Sequence, residues 1–158
     1  LGDIFLSSNN VVADKKTLGV LTIAGGLFFA VGHVIYVVWL LRFVEGFNYY
    51  TLFAVFGMPA LFVVLSLLKV MKAGKITPLV TLYAAFLGTM LMGAINVYVF
   101  LSPEKIASLI LAGGILFTTS DLVLAYYNFG HTEQTKVKYI YMTTYYAAQI
   151  LFALTLLY

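Results

Sequence analysis

The sequence reads as an all-α, polytopic transmembrane helix bundle, and three observations lead there. Of its 158 residues, 63% are hydrophobic and only 9% charged, whereas about 25% of a soluble globular domain is charged. The apolar residues gather into five runs, 17–41, 50–68, 77–101, 106–129 and 139–158, each long enough for a hydrocarbon core of about 30 Å, which takes roughly 20 helical residues. The connections between runs are short. Lipid offers backbone N–H and C=O groups no partner, so runs this long and this free of alternation are helices rather than barrel strands. The expected architecture is five full spans in one transmembrane domain, preceded by the end of another helix.

That preceding helix is read from the first six residues, LGDIFL, which look like the close of an apolar segment whose beginning lies before Leu1. No charged n-region or cleavage-site pattern marks them as a signal peptide. In the second run Pro59 stands ten residues in, beside Gly57, where it removes one backbone hydrogen bond and is expected to kink the helix. Pro78 opens the third run, where a missing N–H costs nothing, and Ser102, Pro103 and Glu104 form the turn before the fourth. The cations are uneven. Lys15, Lys16, Lys69, Lys72, Lys75, Lys136 and Lys138 fall on one side of the expected membrane, and only Arg42 and Lys105 on the other. Positive residues concentrate in the cytoplasm, so loops 10–16, 69–76 and 130–138 are expected there, with the C-terminus outside.

Composition also excludes several functions. A formal charge of +3 comes without any basic patch interleaved with stacking aromatics, so nucleic acid is not an expected partner. There is no cysteine for thiolate or disulfide chemistry, and His33 and His131 are too few for a three-histidine zinc site. No glycine-rich phosphate loop and no GxSxG motif occurs, and no cofactor or metal is expected.

What remains for chemistry centres on Asp121. An ionised Asp in the middle of a membrane helix costs roughly 2.5–3.5 kcal/mol even on insertion scales, so it is seldom kept without a partner or a task. It shares one helix face with Gly114, Phe117, Ala125 and Asn128, at spacings of three and four, and lies about eight residues, or roughly 12 Å, before the helix end at Phe129. Asp3 falls near the same side, so the two carboxylates can share a cavity. Gly26, Phe29, His33 and Tyr36 form a similar face on the first helix. Gln149 can lie beneath Tyr145 or Tyr146 on the fifth, and Tyr83 and Asn96 are the inward polar residues of the third. Ser120 points about 100° away from Asp121, which argues against a serine nucleophile working with that acid. A weak internal repeat, GGxxFxx[GS] followed by an ionisable residue, covers 25–33 and 113–121 and ends at His33 and Asp121; inverted repeats often place a site at their interface.

These pieces together resemble the YhhN-like lysoplasmalogenase family of eight-helix membrane hydrolases. The resemblance rests on Leu1-Gly2-Asp3-Ile4-Phe5-Leu6, on Gly32-His33 with Tyr36, on Tyr83, on Phe117-Thr118-Thr119-Ser120-Asp121, and on Tyr145-Tyr146-Ala147-Ala148-Gln149, in that order across essentially the whole chain. It implies about three further helices before the Gly2-Asp3 end. It also implies hydrolysis of the vinyl ether of an alkenyl lysophospholipid to a fatty aldehyde and a glycerophospho head group, with membrane lipid as the surroundings and the bacterial inner membrane as the location. A vinyl ether resists nucleophiles but accepts a proton on its β-carbon, and a carboxylic acid among apolar helices is suited to keep that proton until needed. Asp3 and Asp121 are the expected catalytic pair, with His33, Tyr36, Tyr83, Tyr145 and Gln149 orienting water or binding the substrate head group. Two other readings stay open on the residues alone. An Asp121–His33 relay in a proton-coupled transporter is one, and an intramembrane aspartyl protease using Gly2-Asp3 and Asp121 is the other.

Overall fold

A computed structural model describes residues 15–43, 50–101, 104–130 and 135–158. Five α-helices follow one another without a strand among these residues: α1 (Lys15–Leu40), α2 (Tyr50–Leu67), α3 (Thr77–Leu101), α4 (Lys105–Phe129) and α5 (Thr135–Leu154), with 3-10 turns at Gly74–Ile76 and Thr155–Leu157. The all-α bundle read from the sequence is therefore present. Its five expected full spans become four helices long and apolar enough to cross a membrane and one shorter apolar helix, α2. At 18 residues α2 reaches about 27 Å, the low end of what a span requires. The helix end expected before α1, with Gly2 and Asp3, lies outside the described residues.

α5 begins at Thr135, ahead of the apolar run at 139, because Lys136 and Lys138 fit an exposed first turn and need not lie in lipid. α2 ends in a Schellman motif. The Val70 N–H donates to the Leu65 carbonyl at 2.9 Å and the Lys69 N–H to that of Ser66 at 3.1 Å, which closes the last turn with Lys69 at φ 59°. That left-handed position is usually glycine. Since an L side chain there costs about 1 kcal/mol, Lys69→Gly is expected to raise the apparent melting temperature by roughly 2–4 °C; an unchanged or lower midpoint would contradict this reading of the turn.

The 3-10 turn leads into α3, where Thr77 Oγ1 donates to the Gly74 carbonyl at 2.8 Å. The same connection closes the end of α4, since the Lys72 N–H donates to the Phe129 carbonyl at 2.6 Å. These bonds bring the 68–76 loop and the last turn of α4 to one end of the bundle. The starts of α3 and α5 lie at that end too by the alternation of the helices, so the lysines of both connections gather there.

α4 packs along α5 and against α3, α3 packs against α2, and α1 lies across α3. Two close approaches depend on the absence of a side chain. A Cβ at Gly88 would run into the Ala54 carbonyl oxygen of α2, and one at Gly114 would come within 2.8 Å of the Ala94 Cβ of α3. Small residues let membrane helices approach in this way, where packing rather than water exclusion drives association. Between the helices lie Leu87, Met90, Val97, Ile110 and Phe117. Buried Asn96 donates to Thr51 Oγ1 across the α2–α3 contact at 3.3 Å. The outward faces carry Val20, Leu27, Val31, Ile35, Phe53 and Phe56, all exposed, as a surface meant for lipid requires.

Candidate active site

Asp121 is 5% exposed and His33 1% exposed, so neither lies at the protein surface. Three helices build their meeting point. α3 contributes Tyr83, whose hydroxyl donates to Asp121 Oδ2. α1 contributes His33, whose Nε2 lies 3.6 Å from the same oxygen. The third is α4, which carries Asp121 itself. The histidine ring is fixed by its other nitrogen. Nδ1 is 2.7 Å from the Phe29 carbonyl oxygen, one turn back, and since a carbonyl only accepts, Nδ1 is the N–H. In neutral His33 that leaves the lone pair of Nε2 turned to the carboxyl group, and Nε2 makes no hydrogen bond. Edge contacts hold the ring on two sides, with Tyr83 at 5.0 Å and Phe117 at 5.2 Å between ring centres.

Further along α1 the Tyr36 hydroxyl donates to Gln149 Oε1 of α5 at 3.1 Å, and the Tyr36 ring lies 4.8 Å from Phe152. Gln149 thus pairs across to α1, where its spacing along α5 had pointed to Tyr145 or Tyr146. Tyr145 packs its ring against Phe117 at 5.6 Å and Phe29 at 6.0 Å. Of the residues expected to act, Asp121, His33 and Tyr83 converge on one oxygen, Tyr36 and Gln149 form a neighbouring polar pair, and Tyr145 joins the aromatic packing around Phe117. Asp3 lies outside the described residues. Ser120 Oγ donates to the Tyr141 carbonyl at 2.8 Å, tying α4 to α5 and away from the acid. Among the described residues no three His, Asp or Glu side chains gather as a metal site.

The sequence did not mark the space beside this cluster. A groove of about 190 Å³ runs between α1, α3 and α4, from Ile76 and Phe129 at the lysine-rich end to Tyr83 and Asp121. Its walls are almost wholly apolar, and Asp121, Ala125 and Asn128 of the face read on α4 all border it, whereas Phe117 of that face is packed into the core. Leu79, Val80 and Phe86 border it as well; they stand three or four residues from Tyr83, so their shared face was readable once Tyr83 was known to point inward. A smaller cavity of about 40 Å³, between α2, α3 and α4, reaches the Tyr83–Asp121 pair from the other side, past Met58 and Phe62.

The family model that matches this chain is that of the YhhN family, over residues 1–156. No curated protein and no solved structure matches it.

Proposed function

Because this chain belongs to the YhhN family, we propose that it hydrolyses the vinyl ether of an alkenyl lysophospholipid, with Asp121 as the acid. The observation that carries this reading is the buried Asp121 carboxyl group, held by Tyr83 and faced by His33 at the inner end of an apolar groove. A carboxylate opposite the lone pair of Nε2 would be repelled, so a proton is needed on one of the two. The reaction calls for such a proton. It goes to the β-carbon of the vinyl ether, where the π electrons form the new C–H bond and leave an oxocarbenium ion on the α-carbon. Water adds to that carbon and gives up a proton to a base, restoring the proton count. The hemiacetal then breaks its bond to the glycerol oxygen, which is protonated as it leaves, giving aldehyde and alcohol with one water consumed.

With Asp121 as the acid, Asp3, the other member of the pair that the resemblance implies, is left as the base. Tyr36 and Gln149 lie beyond His33 from the groove, on the side where the glycerol oxygen would emerge, and a phenol and an amide are suited to hydrogen-bond a hydroxyl or phosphate there. The full-length protein in detergent should release aldehyde from an alkenyl lysophospholipid and none from its saturated ether analogue, which cannot be protonated at carbon. Equal release from both, or from neither, would end the proposal.

The cavity on the second side of the Tyr83–Asp121 pair gives one specific reason to keep a proton-coupled transporter in view. Substrate-coupled proton flux in liposomes, without aldehyde release, would establish it instead.

The orientation follows the lysines, with loops 10–16, 69–76 and 130–138 in the cytoplasm of a bacterial cell and the chain in its inner membrane. Since these 158 residues contain no cysteine, cysteines introduced at Lys72 and Tyr158, each compared with the unsubstituted protein, can test it in intact spheroplasts. A membrane-impermeant maleimide should label the site at Tyr158 and leave that at Lys72 untouched until lysis; the reverse pattern would invert the topology.

A further inference from the structure

The groove beside Asp121 has no role in the proton chemistry, and its shape limits what can occupy it. Its volume is about 190 Å³. One turn of helix with its side chains, about 10–12 Å across and 5.4 Å long, fills roughly 500 Å³, so a further protein helix does not fit inside. A dry apolar cavity of about 150 Å³ takes up benzene, six carbons, which scales to about seven or eight carbons here. Its lining includes three small residues, Gly26 and Ala30 of α1 and Ala125 of α4, together with Leu79, Phe86 and Leu124. At Gly26 an added Cβ would meet nothing within 4 Å, so this glycine leaves space that a helix would otherwise fill. The inner end is polar, with Asp121 and Tyr83 on its wall, and His33 Nε2, deeply buried and without a hydrogen bond, turned to the same carboxyl group.

We infer that this groove is the site for one hydrocarbon chain of the substrate, taking its first seven or eight carbons counted from the ether oxygen, and that Gly26 sets the length it accepts. The inference rests on Asp121 being the acid that meets the ether. The chain of an alkenyl ether begins at the β-carbon, the atom that accepts the proton, so a substrate poised at Asp121 must send its chain one way and its glycerol oxygen the other. The groove leads from Asp121 toward Ile76 and Phe129, and the Tyr36–Gln149 pair lies in the opposite direction along α1. The two halves of the substrate therefore have separate places.

The test measures binding and turnover separately, with the full-length protein in a sterol-based detergent whose rigid rings do not fit a groove this narrow. Saturated ether lysophospholipids with chains of 4 to 14 carbons, kept below their micelle concentrations, serve as the binding probe by calorimetry, and the alkenyl series reports aldehyde release. Affinity should rise about fourfold per methylene, as burial of each from water implies, and level off near eight carbons. Gly26→Leu adds four carbons to the groove, so the plateau should move to about four, and the roughly 200-fold preference of wild type for eight carbons over four should vanish. Leucine is a better helix former than glycine, so this variant should melt no lower than wild type. Gly57→Leu, on α2 and also with open space around its Cβ, should leave the chain-length profile as it was.

Affinity indifferent to length, or a profile that Gly26→Leu does not shift, would overturn the inference even if aldehyde is released. A length plateau near eight carbons that Gly26→Leu shortens, without aldehyde from any substrate, would uphold the groove and remove the hydrolase reading. Indifference to length together with a lower melting temperature for Gly26→Leu would show that a segment of protein fills the groove.

Discussion

Replacing Asp121 by Asn is expected to lower aldehyde release by a factor of about 10² to 10⁴, the range that a positioned general acid contributes, with little change in stability. The substitution is informative because the surroundings tolerate it. With the amide N–H₂ at the Oδ2 position, one hydrogen can be donated to His33 Nε2 and the other to the Tyr83 hydroxyl, which accepts as well as donates, so both contacts at this oxygen retain a partner of the right polarity. What is lost is the acidic proton. An Asn variant that melts with wild type and still turns over within threefold of it would show that Asp121 does not deliver the proton.

Tyr83→Phe and His33→Gln should each reduce kcat about 10- to 100-fold, with KM less affected, and each should displace the pH–rate profile. Both residues act through Asp121, one by donating to Oδ2 and the other by facing it from 3.6 Å. They are positioning residues in this scheme. Because they share one oxygen, their effects should not multiply. The double variant should be no worse than about tenfold below the poorer single variant, as expected when groups act as a unit. Independent losses that multiply, with an unmoved pH profile, would point to direct substrate contacts by each residue and away from a shared role on Asp121.

How far the sequence led can be seen at particular residues. The apolar runs yielded the helices with nearly their observed bounds, because length and hydropathy are local properties of the chain. Asp121 was conspicuous for the same reason, as one carboxyl group in a lipid-like run. The start of α5 was set too late, since lysines at a membrane boundary read as loop although their stems suit a helix's exposed first turn. Pairings between helices were harder. Gln149 meets Tyr36, 113 positions away, and spacing along α5 could name only neighbours on the same helix. Tyr83 was recognised as inward but not as the donor to Asp121, because that contact depends on how α3 and α4 are offset along their axes. The weak repeat ending at His33 and Asp121 brings together the two residues that face each other at 3.6 Å, although abundant Gly and Phe gave the match little force in the sequence. The groove was least legible. It is formed by what Gly26, Ala30 and Ala125 lack, on two helices whose separation the sequence does not state.

Carbon protonation at Asp121 leaves an isotopic mark when hydrolysis is run in D₂O. The carboxyl proton exchanges with solvent, so each aldehyde released from an alkenyl lysophospholipid should carry one deuterium on carbon 2, the former β-carbon. Mass spectrometry of the aldehyde, trapped as it forms, reads this directly. One deuterium per molecule, lost together with turnover in Asp121→Asn, is the expected result; aldehyde without deuterium at carbon 2, or labelled aldehyde at an undiminished rate from Asp121→Asn, would contradict it.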